Sequence, residues 1–198
     1  MKTRIAVFVS GGGTNLQALI DAQGKVLRSG EIALVVANNP TAYALERAAK
    51  AGIPTAVVLK KECGSQETFE ERLKALLTRY GIELIVLAGF MTILSEKFTA
   101  CYPKRILNVH PSLIPAFCGE GFYGLRVHQA ALAYGVKVTG ATVHFVNEVP
   151  DGGEIIAQKA VYIAPEDTPE TLQRRVMEQA EWVLLPQAAE SVCARLQH

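Results

Sequence analysis

Short apolar runs rich in β-branched residues alternate along the chain with longer segments of helical period, and this alternation constrains the fold more than any other feature. A strand–helix–strand order is typical of parallel strands joined by crossover helices. Parallel strands are predicted at residues 5–9, 32–38, 55–59, 84–87 and 106–109. Residues 137–145 and 155–163 are also strand-like but have little helix between them, which predicts a late antiparallel strand. We expect an α/β fold with an open, mostly parallel twisted sheet and helices on both faces.

The crossover helices are predicted at residues 15–29, 42–51, 65–80, 95–102 and 127–134. Ser65 can cap the third of these helices, and Gly81 ends it. The last helix begins at Asp167-Thr168-Pro169, where a capping residue precedes a proline in the first turn. It is expected to run toward Arg195, with a bend at Pro186. No repeat or flexible linker interrupts these elements.

Charge, hydropathy and cysteine content exclude several classes of protein. The 198 residues include 20 Lys and Arg against 19 Asp and Glu, with a formal net charge of +1 and no basic run, so nucleic acid is not an expected partner. The longest near-apolar stretch, residues 84–94, is far shorter than the roughly 20 residues that span a bilayer. The four cysteines form neither a CxxC motif nor a Cys/His cluster, which argues against a bound metal. We expect one soluble, cytoplasmic domain over residues 1–198, as a monomer or a homodimer.

A glycine-rich loop follows the first predicted strand, in Ser10-Gly11-Gly12-Gly13-Thr14-Asn15. Glycines between a strand and a helix let backbone N–H groups approach an anion at the positive end of the helix. A G-x-G-x-x-G motif would need glycine at Leu16, and a P-loop would need Gly-Lys-Ser/Thr. The second strand ends in Asn38-Asn39, with no acidic residue for a ribose diol. The loop therefore favours a single phosphate over a dinucleotide, with a tight turn that binds nothing as the alternative.

Polar side chains that suit chemistry at a carbonyl group stand at the end of the fifth predicted strand and in a later turn. Asn108 and His110 alternate with apolar residues, so both project from one face at the strand's carboxyl end, where α/β sheets bind ligands. The amide is a fixed dipole for a developing oxyanion, and the imidazole can carry a proton near neutral pH. Asp151, in Asp151-Gly152-Gly153, can hold the imidazole protonated. Taken singly, each residue could instead be structural.

Several motifs occur in an order that identifies a family. They are Ser-Gly-Gly-Gly-Thr-Asn-Leu-Gln at residues 10–17, Leu-Ala-Gly-Phe-Met at 87–91, Asn-Val-His-Pro-Ser-Leu-Ile-Pro at 108–115, Tyr123-Gly124 with Val127-His128, Thr-Val-His-Phe-Val at 142–146 and Asp-Gly-Gly at 151–153. This set resembles the folate-dependent formyltransferases, in particular the phosphoribosylglycinamide formyltransferases, over nearly the whole chain. The resemblance implies a Rossmann-like formyltransferase fold. It also implies that 10-formyltetrahydrofolate gives its formyl group to the amine of glycinamide ribonucleotide in purine biosynthesis, without a metal.

The resemblance implies roles for individual residues. Asn108, His110 and Asp151 match the catalytic trio, in which the amide and the protonated imidazole stabilise an oxyanion and the carboxylate aids proton transfer. The family's contacts to the phosphate and the ribose of the substrate match Gly13, Thr14, Asn15 and Glu181 of this chain. The family's contacts to the reduced folate match Gln66, Met91, Thr92, Ile93, Leu94 and Asn108 of this chain. His144 stands beside the trio in the family pattern, and residues 147–151 are expected to close the folate pocket.

Four positions depart from the commoner family pattern. Gln66 and Thr92 stand where basic residues often meet the carboxylate tail of the folate, and neither can form the bidentate pair that a guanidinium makes. Cys118 replaces a proline in the loop after the central motif, and Trp182 follows Glu181 where histidine is frequent. The first two differences predict weak anchoring of the folate tail.

Two other functions remain open from the sequence. A hydrolase that deformylates 10-formyltetrahydrofolate with water could use the same trio, but it has no need of the phosphate loop or of Glu181. A small nucleotide-binding module without catalysis would leave Asn108, His110 and Asp151 without a purpose. Single residues have plain alternatives as well, since Glu181 could be a solvated helix acid.

Overall fold

Residues 1–197 are described by the computed structural model, and they contain one seven-stranded sheet. The strands are β1 (Thr3–Val9), β2 (Gly30–Ala37), β3 (Thr55–Val57), β4 (Leu84–Leu87), β5 (Ile106–His110), β6 (Val138–Phe145) and β7 (Ile155–Tyr162). They lie in the order β3-β2-β1-β4-β5-β6-β7. β1 to β5 pair in parallel, whereas β6 is antiparallel to both β5 and β7. The mostly parallel sheet and its late antiparallel strand are confirmed.

The helices are α1 (Thr14–Ala22), α2 (Ala44–Lys50), α3 (Lys60–Cys63), α4 (Gln66–Arg79), α5 (Glu96–Thr99), α6 (Leu125–Tyr134), α7 (Pro169–Val176) and α8 (Trp182–Leu196). α3 is a single turn that the sequence pattern does not predict. Within the part of the chain that the structure describes, no helix combines the length and the apolar character needed to cross a bilayer.

Each face of the sheet carries its own apolar core because side chains alternate along every strand. Ile5, Val7 and Val9 of β1 pack with apolar residues of α1, α7 and α8 on one face. Ala6 and Phe8 pack with residues of α4 and α5 on the other. Burial on both faces explains why the parallel strands are continuous apolar runs.

The first helix ends at Ala22, although the sequence predicts it to residue 29. The backbone of Gln23 leaves the helix at φ −57° and ψ 131°, and its side chain accepts the N–H of Ile32 at 2.7 Å. Gly24 then turns the chain with a left-handed φ of 76°. The longer prediction was wrong because Gln23 bonds to the next strand instead of continuing the helical face.

The C-terminal helical region begins as predicted but is irregular before Pro186. Thr168 caps α7 in a reciprocal capping box with Thr171, and Pro169 stands in the first turn. A π-helical turn, Met177–Glu181, joins α7 to α8, and α8 continues through Pro186. Proline lacks an N–H, so the carbonyl of Trp182, four residues earlier at the start of α8, receives no α-helical hydrogen bond from residue 186.

The strand order brings three segments to one edge of the sheet. The chain moves outward from β1 through β2 to β3 and then returns to β4 on the other side of β1. This reversal makes a crevice at the carboxyl ends of β1 and β4, which is where open α/β sheets bind ligands. The glycine loop after β1, the segment after β4 and the end of β5 therefore lie together.

Candidate active site

The predicted trio comes from a strand end and a loop. In β5, Asn108 pairs with His144 of β6, and His110 pairs with Thr142. Asp151 lies in the loop between β6 and β7, at a φ of 55° that residues other than glycine seldom adopt. Such backbone strain is commonest at functional sites.

Asp151 is the centre of the cluster. Its Oδ2 accepts the backbone N–H of Gly119 at 2.9 Å and lies 3.4 Å from Nδ1 of His110. Its Oδ1 lies 3.4 Å from Nδ2 of Asn108 and 3.5 Å from Nε2 of His144. One carboxylate therefore joins the amide and both imidazoles.

Both ring nitrogens of His110 face acceptors. Nε2 lies 2.8 Å from the carbonyl oxygen of Phe117, and Nδ1 faces the carboxylate of Asp151. A neutral imidazole can donate only one hydrogen bond, whereas the protonated ring donates two. The surroundings of this residue, which is 4% exposed, therefore offer an acceptor to each N–H of the doubly protonated ring.

His144 orients the amide of Asn108. Its Nδ1 lies 2.8 Å from the carbonyl oxygen of Phe145, so this nitrogen carries the proton of the neutral ring. Nε2 then accepts a hydrogen bond from Nδ2 of Asn108 at 3.2 Å. When His144 is doubly protonated, Nε2 instead donates to Asp151.

Burial by itself raises the pKa of the Asp151 carboxyl. A hydrogen bond from His144, made when its Nε2 carries a proton, the positive charge of His110 and the N–H of Gly119 outweigh burial and hold that pKa below its usual value. Asp151 is consequently a carboxylate at neutral pH, as an ion partner of His110 must be.

A cleft of about 140 Å³ opens beside the trio. One wall is the cleft segment, residues 90–94, the other is the loop of residues 146–151, and Asn108 lies between them. Met91 and Ile93 are 56% and 74% exposed at this cleft, whereas Leu94 is buried in the core. Exposed apolar side chains around a few convergent polar groups are typical of a ligand site.

Three other parts of the chain hold the cleft segment. The hydroxyl of Ser10 accepts the N–H of Met91 at 2.8 Å, and Asn38 donates from Nδ2 to the hydroxyl of Thr92 at 2.7 Å. Gln66 donates from Nε2 to the carbonyl oxygen of Ile93 at 3.2 Å. The apolar side chains at the cleft are thus presented by a fixed backbone.

Glu70 fixes the end of the cleft segment and is a residue that sequence reasoning missed. Its carboxylate accepts Nε2 of Gln66 at 2.5 Å, the N–H of Ser95 at 2.6 Å and the hydroxyl of Ser95 at 2.5 Å. Burial alone raises the pKa of Glu70, but these bonds and the charge of Lys74 hold it below its usual value. An acid four residues after Gln66 in a helix gives no sequence signal of burial.

The glycine loop leaves the start of α1 open. Gly13, the residue before α1, adopts a left-handed φ of 71°, and no side chain caps the helix. The first N–H groups of an α-helix have no partner within the helix, so they are available to an anion. The predicted phosphate loop therefore has a suitable backbone geometry.

Glu181 lies beside this loop and is only 6% exposed. Its carboxylate accepts Nδ2 of Asn15 at 2.7 Å. Burial raises the pKa of Glu181 to about 7, although the bond from Asn15 acts in the opposite direction. The alternative of a solvated helix acid is therefore wrong, and the π-helical turn that ends at Glu181 directs its side chain inward.

The sequence also matches a known protein family. The family model described as "Formyl transferase" matches residues 3–188. The chain belongs to the formyl transferase family. The α/β fold and the mostly parallel sheet agree with this membership.

Named relatives and solved structures agree with this membership. Phosphoribosylglycinamide formyltransferase of Haemophilus influenzae is 43% identical over 92% of this chain and 84% of that protein. The trifunctional purine biosynthetic protein adenosine-3 of Gallus gallus is 45% identical over 98% of this chain, which spans only 19% of that protein's length. The crystal structure of glycinamide ribonucleotide transformylase 1 from Symbiobacterium toebii has a TM-score of 0.91 at 39% identity, with 98% of this chain and 89% of that chain covered.

The formyl transferase fold brings the sequence-predicted residues into two groups. Asn108, His110, Asp151 and His144 are in contact, and the cleft segment adjoins them. The glycine loop and Glu181 form the second group, joined by Asn15. Sequence reasoning missed the backbone groups of Phe117 and Gly119, which have no side-chain signature. Among the residues that the structure describes, no three His, Cys, Asp or Glu side chains are arranged to hold a metal ion.

Proposed function

We propose that the chain transfers the formyl group of 10-formyltetrahydrofolate to the amine of glycinamide ribonucleotide, a step of purine biosynthesis. The observation that carries this proposal is the Asn108/His110/Asp151 cluster, which stands beside an apolar cleft and at the same sheet edge as an open glycine loop. Carbonyl chemistry between an apolar site and an anion site suits a reaction of a folate with a phosphorylated amine. Relatives named for this activity support the same conclusion.

The trio would stabilise the charge that develops as the substrate amine attacks the formyl carbon. Asn108 donates an N–H to the formyl oxygen, and protonated His110 supplies positive charge beside it. The Asp151 carboxylate pairs with the protonated imidazole of His110 and helps a proton pass from the amine to the departing folate nitrogen. No step in this scheme calls for a metal.

One amide hydrogen of Asn108 is poorly held and can turn toward the formyl oxygen. One N–H of its Nδ2 bonds to His144 at 3.2 Å, and the other reaches Asp151 at 3.4 Å. The second distance is beyond the usual range for an N–H···O hydrogen bond. We propose that the formyl oxygen replaces Asp151 as the acceptor, while His144 keeps the amide oriented.

The nucleotide would occupy the second group of residues. Backbone N–H groups of Gly13, Thr14 and Asn15 can bind its phosphate at the positive end of α1. Glu181 can accept hydrogen bonds from ribose hydroxyls, in exchange for its bond from Asn15. The loop and Glu181 favour the transferase over a formyl-folate hydrolase, which has no phosphate to bind.

The folate would lie against the cleft segment. Exposed Met91 and Ile93 fit the apolar face of a flat ring system, and Leu94 supports them from the core. Gln66 donates both N–H groups of its Nε2 to Glu70 and Ile93, and the Thr92 hydroxyl accepts from Asn38 and has one O–H to donate. Neither side chain offers the carboxylate tail the paired donors of a guanidinium. The ring, rather than the tail, would supply most of the affinity.

We also propose that residues 1–198 form one cytoplasmic domain, as a monomer or a homodimer. The two cores share one sheet, which supports a single domain. All four cysteines are free, as a reducing compartment favours: Cys63, Cys101, Cys118 and Cys193.

A deformylation assay tests the proposed reaction. The purified protein is incubated with 10-formyltetrahydrofolate, with and without glycinamide ribonucleotide, and folate release and the formylated nucleotide are followed together. We expect release that depends on the amine and matches product in a one-to-one ratio. Equal release without the nucleotide would establish the hydrolase, and nucleotide binding without any release would support the non-enzymatic module.

A further inference from the structure

The glycine loop has one cationic neighbour of its own. Residues 10–17 contain no lysine or arginine. Among the described residues 1–197, Arg47 of α2 is the only lysine or arginine whose side chain hydrogen-bonds to residues 10–14, through Nε to the carbonyl oxygen of Gly12 at 2.8 Å. A phosphate bound at this loop would therefore contact backbone N–H groups directly, with the positive charge of Arg47 on the other side of the loop.

α2 holds two successive carbonyl groups of the loop. The N–H of Ala44 donates to the carbonyl oxygen of Gly11 at 3.1 Å, and Arg47 holds that of Gly12. In a planar trans peptide the C=O and the following N–H point in opposite directions. Because both carbonyls face α2, the N–H groups of Gly12 and Gly13 face away from it, toward the open side of the loop.

The loop also packs tightly against α2. A Cβ built on Gly13 would lie 2.6 Å from the Cβ of Ala44 and 2.9 Å from its Cα. Only a glycine allows this approach and the left-handed φ of 71° together. The loop conformation is therefore set by its contact with α2, not by the loop sequence alone.

Arg47 is held in place without an acidic partner. Its Nη1 donates to Oε1 of Gln17 at 3.1 Å, and its guanidinium lies 5.0 Å from the ring centroid of Tyr43. No ion pair within residues 1–197 involves Arg47. Its positive charge is thus directed to the loop by neutral groups and is not cancelled by a carboxylate.

We propose that Arg47 is a positioning residue for the substrate phosphate: it holds the Gly12 carbonyl toward α2, which turns the Gly13 N–H outward, and it adds an uncancelled positive charge behind the loop. The inference rests on the proposed function, since it needs a phosphorylated substrate at this loop. By this proposal, the loop supplies the N–H donors for a phosphomonoester and α2 sets their direction, so both determine the specificity for the phosphate. It also predicts that Arg47 affects binding of the nucleotide and not that of the folate.

Steady-state kinetics of Arg47→Met test this role. Methionine keeps much of the apolar stem of the side chain but removes the charge and the bond to Gly12. We expect the KM for glycinamide ribonucleotide to rise about tenfold, which is the size of one charge-assisted interaction, with kcat within about threefold of the parent chain. The KM for the folate should not change. Lys50→Met removes one charge from the same helix without a contact to the loop, and it should behave as the parent chain.

Binding of ribose 5-phosphate, measured by calorimetry, separates this inference from the proposed reaction. Arg47→Met should bind it about tenfold more weakly than Lys50→Met does, whether or not the protein transfers a formyl group. Arg47→Lys keeps the charge without the fork that reaches Gly12 and Gln17, so its loss should be smaller, about threefold. This variant also serves if Arg47→Met fails to fold. Equal affinity of the Arg47 variants and Lys50→Met overturns the inference.

Discussion

The two ends of the site use different kinds of chemical group. At the catalytic end, the working groups are side chains, and Asn108, His110 and Asp151 contact one another directly. At the nucleotide end, the donors are backbone N–H groups of the glycine loop, and α2 determines their direction. At the catalytic end, removing one side chain removes a working group. At the nucleotide end, the donors are lost only if the backbone changes shape or loses the groups that hold it.

Asn108→Ala should produce the largest effect, and it acts on the catalytic end alone. Loss of one oxyanion donor is typically worth roughly 3 to 4 kcal/mol of barrier, so kcat should fall by a factor on the order of hundreds. The KM for the nucleotide should change little because the glycine loop is intact. Steady-state kinetics with folded, purified protein measure both quantities. Near-normal turnover would show that the amide is not an oxyanion donor.

Gly13→Ala should affect the nucleotide end through the backbone. The left-handed φ costs an alanine about 1 to 2 kcal/mol, and the new methyl would collide with Ala44, so the loop must move. We expect the KM for the nucleotide to rise about tenfold, with kcat at saturating substrate nearly retained.

Gly24→Ala is the matched control for that variant. Gly24 also has a left-handed φ, of 76°, but its Cβ would meet open space. This control should lose stability by about 1 kcal/mol in chemical denaturation without a change in KM. If both variants keep the parent KM, the contact of Gly13 with Ala44 is irrelevant to binding.

The same contrast explains what the sequence could and could not predict. The alternation of apolar residues determined the sheet, and the spacing of Asn108 and His110 placed them on one face, because strand periodicity is a local property. The short α1 depends on Gln23, whose side chain accepts the N–H of Ile32 in β2. This contact depends on how the chain turns back into the sheet, which the periodicity of the helix itself does not predict.

The supporting residues were missed for the same reason. Arg47 and Glu70 are charged residues in helices, and in sequence they are indistinguishable from solvated ones. The structure shows Arg47 bonded to Gly12 and Glu70 buried against Ser95. Glu181 was found only through the family resemblance. Side chains that take part in the reaction belong to a recognisable sequence motif, whereas side chains that only hold a backbone segment in place do not.

The pH dependence of stability should respond with opposite sign to two buried groups, Glu181 at the nucleotide end and His128 of α6, and this is the smallest effect of the three predictions. Glu181, at the nucleotide end, has a pKa raised by burial from 4.5 to about 7. It contributes stability that is fully present below pH 4.5 and is lost as the pH rises through 7. His128 is fully buried, and within residues 1–197 its ring nitrogens have no hydrogen-bond partner. Burial and the charge of His110 lower its pKa from 6.5 to about 4, so its contribution is present above pH 6.5 and is lost as the pH falls through 4.

Between pH 4.5 and 6.5 these two contributions to stability change in opposite directions with pH. A variant that removes one of the two groups should show the pH dependence that the other group causes. Relative to the parent chain, Glu181→Gln should lose about 1 kcal/mol of unfolding free energy when the pH is lowered from 6 to 5. His128→Leu should lose a similar amount, relative to the parent, when the pH is raised from 5 to 6. Urea denaturation at both pH values measures the differences, and groups common to all three proteins cancel. Profiles parallel to the parent's would mean that neither buried group titrates as its surroundings require.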